Sequence, residues 1–141
     1  MTVERLVASS HPRRRILIAD DNRDAVESLA TTLRLSGNEV HVAFDGIEAL
    51  QLAEQLTPEV VLMDVGMPRM NGREATGRIR SQKWGKGMVV IALTGWGQES
   101  DKQLSREAGC DEHLVKPVDV AELERLMHDL CAKARDPSLQ S

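Results

Sequence analysis

Apolar positions along the chain fall into two alternating patterns. Short, nearly unbroken runs occur at Ile16-Leu17-Ile18-Ala19, Glu39 to Ala43, Val60 to Met63, Met88 to Leu93 and, more weakly, Glu112 to Val115. Runs of this length suit strands buried on both faces. Between them the spacing becomes helical. Val26, Leu29, Ala30 and Leu33 repeat at i, i+3, i+4 and i+7 and form one apolar stripe. Gly37 stands just past that stripe, where a glycine often ends a helix. Asp45 and Glu48 have capping-box spacing ahead of Ala49, Leu50 and Ala53. Asp119 and Glu122 repeat it ahead of Leu123, Leu126, Met127 and Leu130. A helix with few apolar residues is predicted from about Gln98 to Ala108, with Leu104 and Ala108 as its core face and Gly109 at its end. A weak helix follows Asn71, with Thr76 and Gly77 in its interior. This alternation predicts an α/β fold with a parallel sheet covered on both faces.

Composition narrows the class. A chain of 141 residues fits one domain. Aromatics make up 2% against 41% apolar residues overall, so the core must be aliphatic. The net charge of −4 argues against a nucleic-acid partner, whose binding domain is usually basic. Arg13-Arg14-Arg15 is the local exception and reads as a solvated lead-in to the first strand. No apolar run approaches the ~20 residues of a membrane span, so no membrane partner is expected. The N-terminus has no apolar segment of the signal-peptide kind. Cys110 and Cys131 lack metal-like spacing, and so few cysteines suit a reducing cytoplasm. The expected organisation is a flexible tail over 1–14, one domain over 15–134 and a second tail over 135–141.

Ligands of open α/β sheets bind at the carboxyl ends of the strands. The polar residues ending the apolar runs are Asp20 and Asp21, Asp64, Thr94 and Lys116. Three carboxylates at one edge repel each other, and a hard cation such as Mg²⁺ relieves this. A helix starts beside Asp21 and Asn22, so either could instead be its cap. Asp64 directly follows a strand and is the candidate nucleophile, since a carboxylate can attack phosphorus to form an aspartyl phosphate. Lys116 and Thr94 would contact the other phosphoryl oxygens. Pro117 biases Lys116 toward extended backbone.

From about Arg15 to Ala134 the chain resembles the receiver family of two-component signalling. The matching residues are Asp20-Asp21, then Asp64-Val65-Gly66-Met67-Pro68-Arg69-Met70-Asn71-Gly72, Ala92-Leu93-Thr94-Gly95 and Lys116-Pro117. The ordered set, each member at a strand end, is highly specific. The resemblance implies a doubly wound, flavodoxin-like (βα)5 fold with sheet order 2-1-3-4-5. It implies phosphorylation at Asp64 by a histidine kinase or histidine phosphotransfer protein. Mg²⁺ would be held by Asp21, Asp64 and the Gly66 carbonyl, with Asp20 acting through water. Thr94 would be the switch hydroxyl and Lys116 the phosphate-sensing lysine. Output would pass to a downstream protein, with no enzyme activity beyond self-phosphorylation and self-dephosphorylation. Thr94-Gly95-Trp96-Gly97 and His113-Leu114-Val115-Lys116-Pro117 are also similar to receivers of hybrid histidine kinases, so a receiver module cut from such a kinase is the alternative within the family. An aspartyl-nucleophile phosphohydrolase is the alternative class, but it would want an acid where Gly66 stands.

Two positions depart from the family pattern. His113 occupies the place of an aromatic switch residue, either as a ring that follows Thr94 or as an ordinary half-exposed strand histidine. Trp96 and Gly66 take the positions that flank the path of the hydrolytic water. Trp96 would either shield the aspartyl phosphate or form part of a partner patch.

Overall fold

Each apolar run becomes a strand. The computed structural model describes residues 13–95 and 99–135. The strands are β1 (Arg15–Ala19), β2 (Glu39–Ala43), β3 (Val60–Asp64), β4 (Val89–Thr94) and β5 (Glu112–Val115). They pair in parallel in the order β2-β1-β3-β4-β5, as the resemblance implied. β3 and β4 are buried at every residue, which explains their lack of polar alternation.

Five helices connect and cover the strands: α1 (Arg23–Leu35), α2 (Gly46–Leu56), α3 (Gly72–Arg80), α4 (Glu99–Ala108) and α5 (Val120–Arg135). Successive strand residues point to opposite faces. On one face Ile16, Ile18, Leu62 and Ile91 pack against Val26, Ala30 and Leu33 of α1 and Leu123 and Met127 of α5. On the other, Leu17, Val61, Met63 and Val90 meet Ala49 and Ala53 of α2 and Ala75 and Ile79 of α3. The core is aliphatic, as composition required.

Helix starts follow the capping logic with two refinements. Asn22, not Asp21, caps α1 by accepting from the Ala25 N–H at 3.1 Å. Asp45 caps α2 by accepting from the Glu48 N–H at 2.8 Å. Glu48 returns a bond one residue early, accepting from the Phe44 N–H at 2.8 Å. Asn71 caps α3 through the Glu74 N–H at 2.9 Å.

Two local readings change. Leu104 was expected on the core face of α4 but is 46% exposed, while Ser105 is buried. One residue is a rotation of about 100° on a helix, so a sparse apolar pattern fixes the facing poorly. In the arginine run Arg13 and Arg15 are exposed, as a solvated lead-in requires, but Arg14 is not. Arg14 is buried with its guanidinium 3.7 Å from Glu59, and its carbonyl accepts from the Glu39 N–H at 2.9 Å. Arg15 pairs with Glu39 at 2.6 Å and donates to the Leu56 carbonyl at 2.8 Å. These residues stitch β1 to the start of β2 and the end of α2.

The amino ends of β4 and β5 are tied together by one side chain. Arg80 donates to the carbonyls of Gly109 at 2.9 Å, Gly85 at 3.0 Å and Met88 at 2.6 Å, and to Asp111 Oδ2 at 2.8 Å. Asp111 also accepts from the Val90 N–H at 2.8 Å. The cluster joins α3, a 3-10 turn (Lys83–Gly85), β4 and β5. Truncation would leave several partly buried acceptors unsatisfied. Arg80→Ala should therefore cost about 2–4 kcal/mol, seen as a lower urea midpoint with an unchanged m-value. A loss below about 0.5 kcal/mol, the level of an ordinary surface change, would show that the clamp is dispensable.

Candidate functional site at the carboxyl end of the sheet

β1 and β3 are neighbours, and the register pairs Ala19 with Met63. The next residue on each strand line is an aspartate, so Asp20 and Asp64 are forced side by side. Both are buried, whereas Asp21 is exposed. The three residues have carboxylate oxygens within 4.8 Å of one another.

The buried pair shares one ammonium. Lys116 Nζ lies 2.9 Å from Asp20 Oδ2 and 3.2 Å from Asp64 Oδ1. Lys116 follows β5, its N–H donates to the Thr94 carbonyl at 2.8 Å, and the Lys116-Pro117 bond is cis. Backbone donors complete the acids' shells. The Asn22 N–H donates to Asp20 Oδ1 at 3.0 Å, and the Gly66 N–H to Asp64 Oδ1 at 3.1 Å.

Burial pushes the Asp64 carboxyl above its ordinary range, and the charge of Asp20 adds to this. The Gly66 N–H and Lys116 pull the other way without overcoming it. Burial alone would lower Lys116, but its bond to Asp20 and the charges of Asp64 and Asp20 outweigh this and raise it. Three carboxylates against one ammonium leave negative charge uncompensated. The donors are hard oxygens without thiol or imidazole, a set that fits Mg²⁺ rather than a soft metal.

Thr94 ends β4, one step beyond Leu93, the register partner of Asp64. It is buried, and its hydroxyl reaches the Leu114 carbonyl only at 3.5 Å. His113 pairs with Ala92 in register and so lies on the same side of the sheet as Thr94. It is half-buried, with Nδ1 3.4 Å from Glu112 Oε1. Asp20, Asp21, Asp64, Gly66 and Lys116 thus come together, Thr94 stands at the rim and His113 lies farther down β5. Trp96 lies outside the described residues.

Two features of the site were not read from the sequence. A Cβ on Gly72 would collide with the Asp64 carbonyl and lie 2.8 Å from Met63 Cγ. The first residue of α3 therefore packs against the backbone of the nucleophile candidate, and Asn71-Gly72 was the available signal. The other is an ion pair at 2.7 Å between Arg69 and Asp45, from segments far apart in sequence.

Residues 16–128 match the response regulator receiver domain family. The chain belongs to the response regulator receiver domain family. This receiver is 40% identical over 116 residues to a 14.6 kDa protein of Leptolyngbya boryana, covering 82% of this chain and 88% of that one. It is 38% identical over 116 residues to the response regulator MprA of Mycobacterium sp. (strain KMS), covering 82% of this chain and 50% of MprA. The receiver thus spans about half the length of that regulator. The receiver domain of sensor histidine kinase PA1611 from Pseudomonas aeruginosa PAO1 superposes with a TM-score of 0.79 at 32% identity, covering 85% of this chain and 98% of that one. That structure has a magnesium ion coordinated in its active site cleft.

The raised Asp64 pKa gives a signed prediction in metal-free buffer. A carboxyl raised in the folded state contributes stability that is full below its unfolded pKa and is lost as pH rises through the folded one. Wild type bears that loss at about pH 7, and Asp64→Asn does not. The variant should melt higher at about pH 7, with the gain shrinking toward about pH 4, the ordinary carboxylate range. Thermal melts at both values check this, and a destabilised variant at neutral pH refutes it.

Proposed function

We propose that this receiver accepts a phosphoryl group on Asp64 from a histidine kinase or histidine phosphotransfer protein. The observation that carries the reading is the buried Asp20–Asp64 pair sharing Lys116. An Asp64 carboxylate oxygen would attack phosphorus while the bond to the donor nitrogen breaks, leaving an aspartyl phosphate. Lys116 would move from the Asp64 carboxylate to a phosphoryl oxygen. The Thr94 hydroxyl makes a long bond to Leu114, which it can give up to donate to another phosphoryl oxygen. Asp20, Asp21, Asp64 and the Gly66 carbonyl would hold Mg²⁺. When bound, that ion would offset the carboxylate charge and that developing on the phosphoryl oxygens.

The phosphorylated side chain would carry a charge of about −1.5 to −2 in place of a single carboxylate charge. Lys116 and Thr94 both sit against β5, so the change would be felt there first. His113 shares the face of Thr94 and would report the change to a downstream protein. The receiver unit is assigned to residues 15–134. A cytoplasmic site of action is supported by the low cysteine content, two in 141 residues. Among the described residues, no helix is long and apolar enough to cross a membrane.

Acetyl phosphate with Mg²⁺ should add one phosphoryl mass to the wild-type chain, and chelation should abolish this. Asp64→Asn should gain none in the same intact-mass measurement. Equal labelling of the variant would place the acceptor elsewhere.

Gly66 is exposed, and a Cβ there would meet only Asp64 Oδ1, at 3.9 Å. A longer side chain would overhang the acceptor and exclude attacking water. Gly66→Leu should lengthen the phosphoryl half-life several-fold, followed as decay of the labelled mass. An unchanged or shorter half-life would show that position 66 does not control water access.

A further inference from the structure

The loop from β3 to α3 contains an outlier. Arg69 has φ +65°, and the Met70 N–H donates to the Pro68 carbonyl at 2.7 Å across it. This is the rarer, positive-φ form of the three-residue turn. Glycine or asparagine would adopt that backbone more readily than arginine. An arginine held there implies that its side chain repays the strain.

The Arg69 side chain makes one described ion pair. Nη2 donates to Asp45 Oδ2 at 2.7 Å. The other Asp45 oxygen caps α2 through the Glu48 N–H at 2.8 Å. The Glu48 N–H, and after it Arg69, keep the Asp45 carboxyl below its usual range despite partial burial. Asp45 is therefore a fixed anchor, ionised at neutral pH. Beside it, a Cβ on Gly46 would collide with the Met70 carbonyl, so the first turn of α2 lies directly on the loop backbone. The loop is closed at its base by the Gly72 N–H donating to the Val65 carbonyl at 3.3 Å. From the α2 side, the Arg69–Asp45 pair and the Gly46 contact add polar and backbone ties to the packing of Met67 and Met70 in the core cluster of Ala49 and Ala53.

We propose that Arg69 is a positioning residue that, through Asp45, latches the Val65–Gly72 loop and thereby holds the Gly66 carbonyl for Mg²⁺. The inference rests on the metal reading given above, with Gly66 as a carbonyl ligand. Arg69 itself does not touch the metal.

The sign of one measurement separates this role from simple charge. Removing a cation near an acidic cluster would by charge alone tighten binding of another cation. Losing the latch would loosen the loop and weaken it. Calorimetric titration of the full chain with Mg²⁺ should show Arg69→Ala binding about three- to fivefold more weakly, the upper part of the range for an exposed pair. Melting curves of the same samples report whether the fold is intact. In an Asp45→Asn background, where the helix cap survives, Arg69→Ala should cause no further weakening. Equal or tighter binding by Arg69→Ala in the wild-type background overturns the latch, as does undiminished weakening in the Asp45→Asn background. If the wild type itself binds no Mg²⁺, the metal reading falls and the latch with it. If the wild type binds and Arg69→Ala is unaffected, only the latch falls.

Discussion

The structure is organised around two carboxylates buried side by side with one ammonium between them. Taking such groups out of water is costly unless they are paired and hydrogen-bonded. Sheet order makes the encounter unavoidable, because β1 and β3 are adjacent and both lines end in aspartate. Lys116 reaches the pair from the end of β5, which lies beyond β4 from the acids. Only a long, flexible cation could do this while its backbone stays tied to Thr94.

The two ends of the sheet divide stability from chemistry. At the amino end, Arg80 satisfies several carbonyls and Asp111 at once, and Arg14 and Arg15 close the start of β1. Charges there are matched. At the carboxyl end acids outnumber the cation, and Asp64 is held against its ordinary ionisation. Proteins tolerate such imbalance at functional sites and offset it elsewhere. Helices start beside the acids, and their caps, Asn22 and Asn71, leave the aspartates out of the capping.

Near the site, α4 is weakly anchored by its described side chains. Among its described side chains none is a large buried hydrophobe: Leu104 is half exposed and Ser105 turns inward without a hydrogen-bond partner for its hydroxyl. It flanks β5, which carries His113 and leads into Lys116. Few buried apolar contacts mean low local stability. A helix so held can rearrange at little expense.

Much of this was legible in the amino-acid sequence. Fully apolar runs between amphipathic stretches required a parallel sheet covered on both sides, and the polar residues closing those runs named Asp20, Asp64, Thr94 and Lys116. These are local signals, set by side-chain period and by where a strand stops. Facing along α4 was not legible, because a sparse pattern leaves helix rotation open. Nor was the choice of Asn22 over Asp21 as cap, which depends on one hydrogen bond. The burial of Arg14, the Arg80 clamp and the Arg69–Asp45 latch join segments distant in sequence, and no local period encodes such meetings. The acids were determined by the sequence. That Asp20 and Asp64 share a single lysine was decided by tertiary structure, because only strand order sets which ends meet.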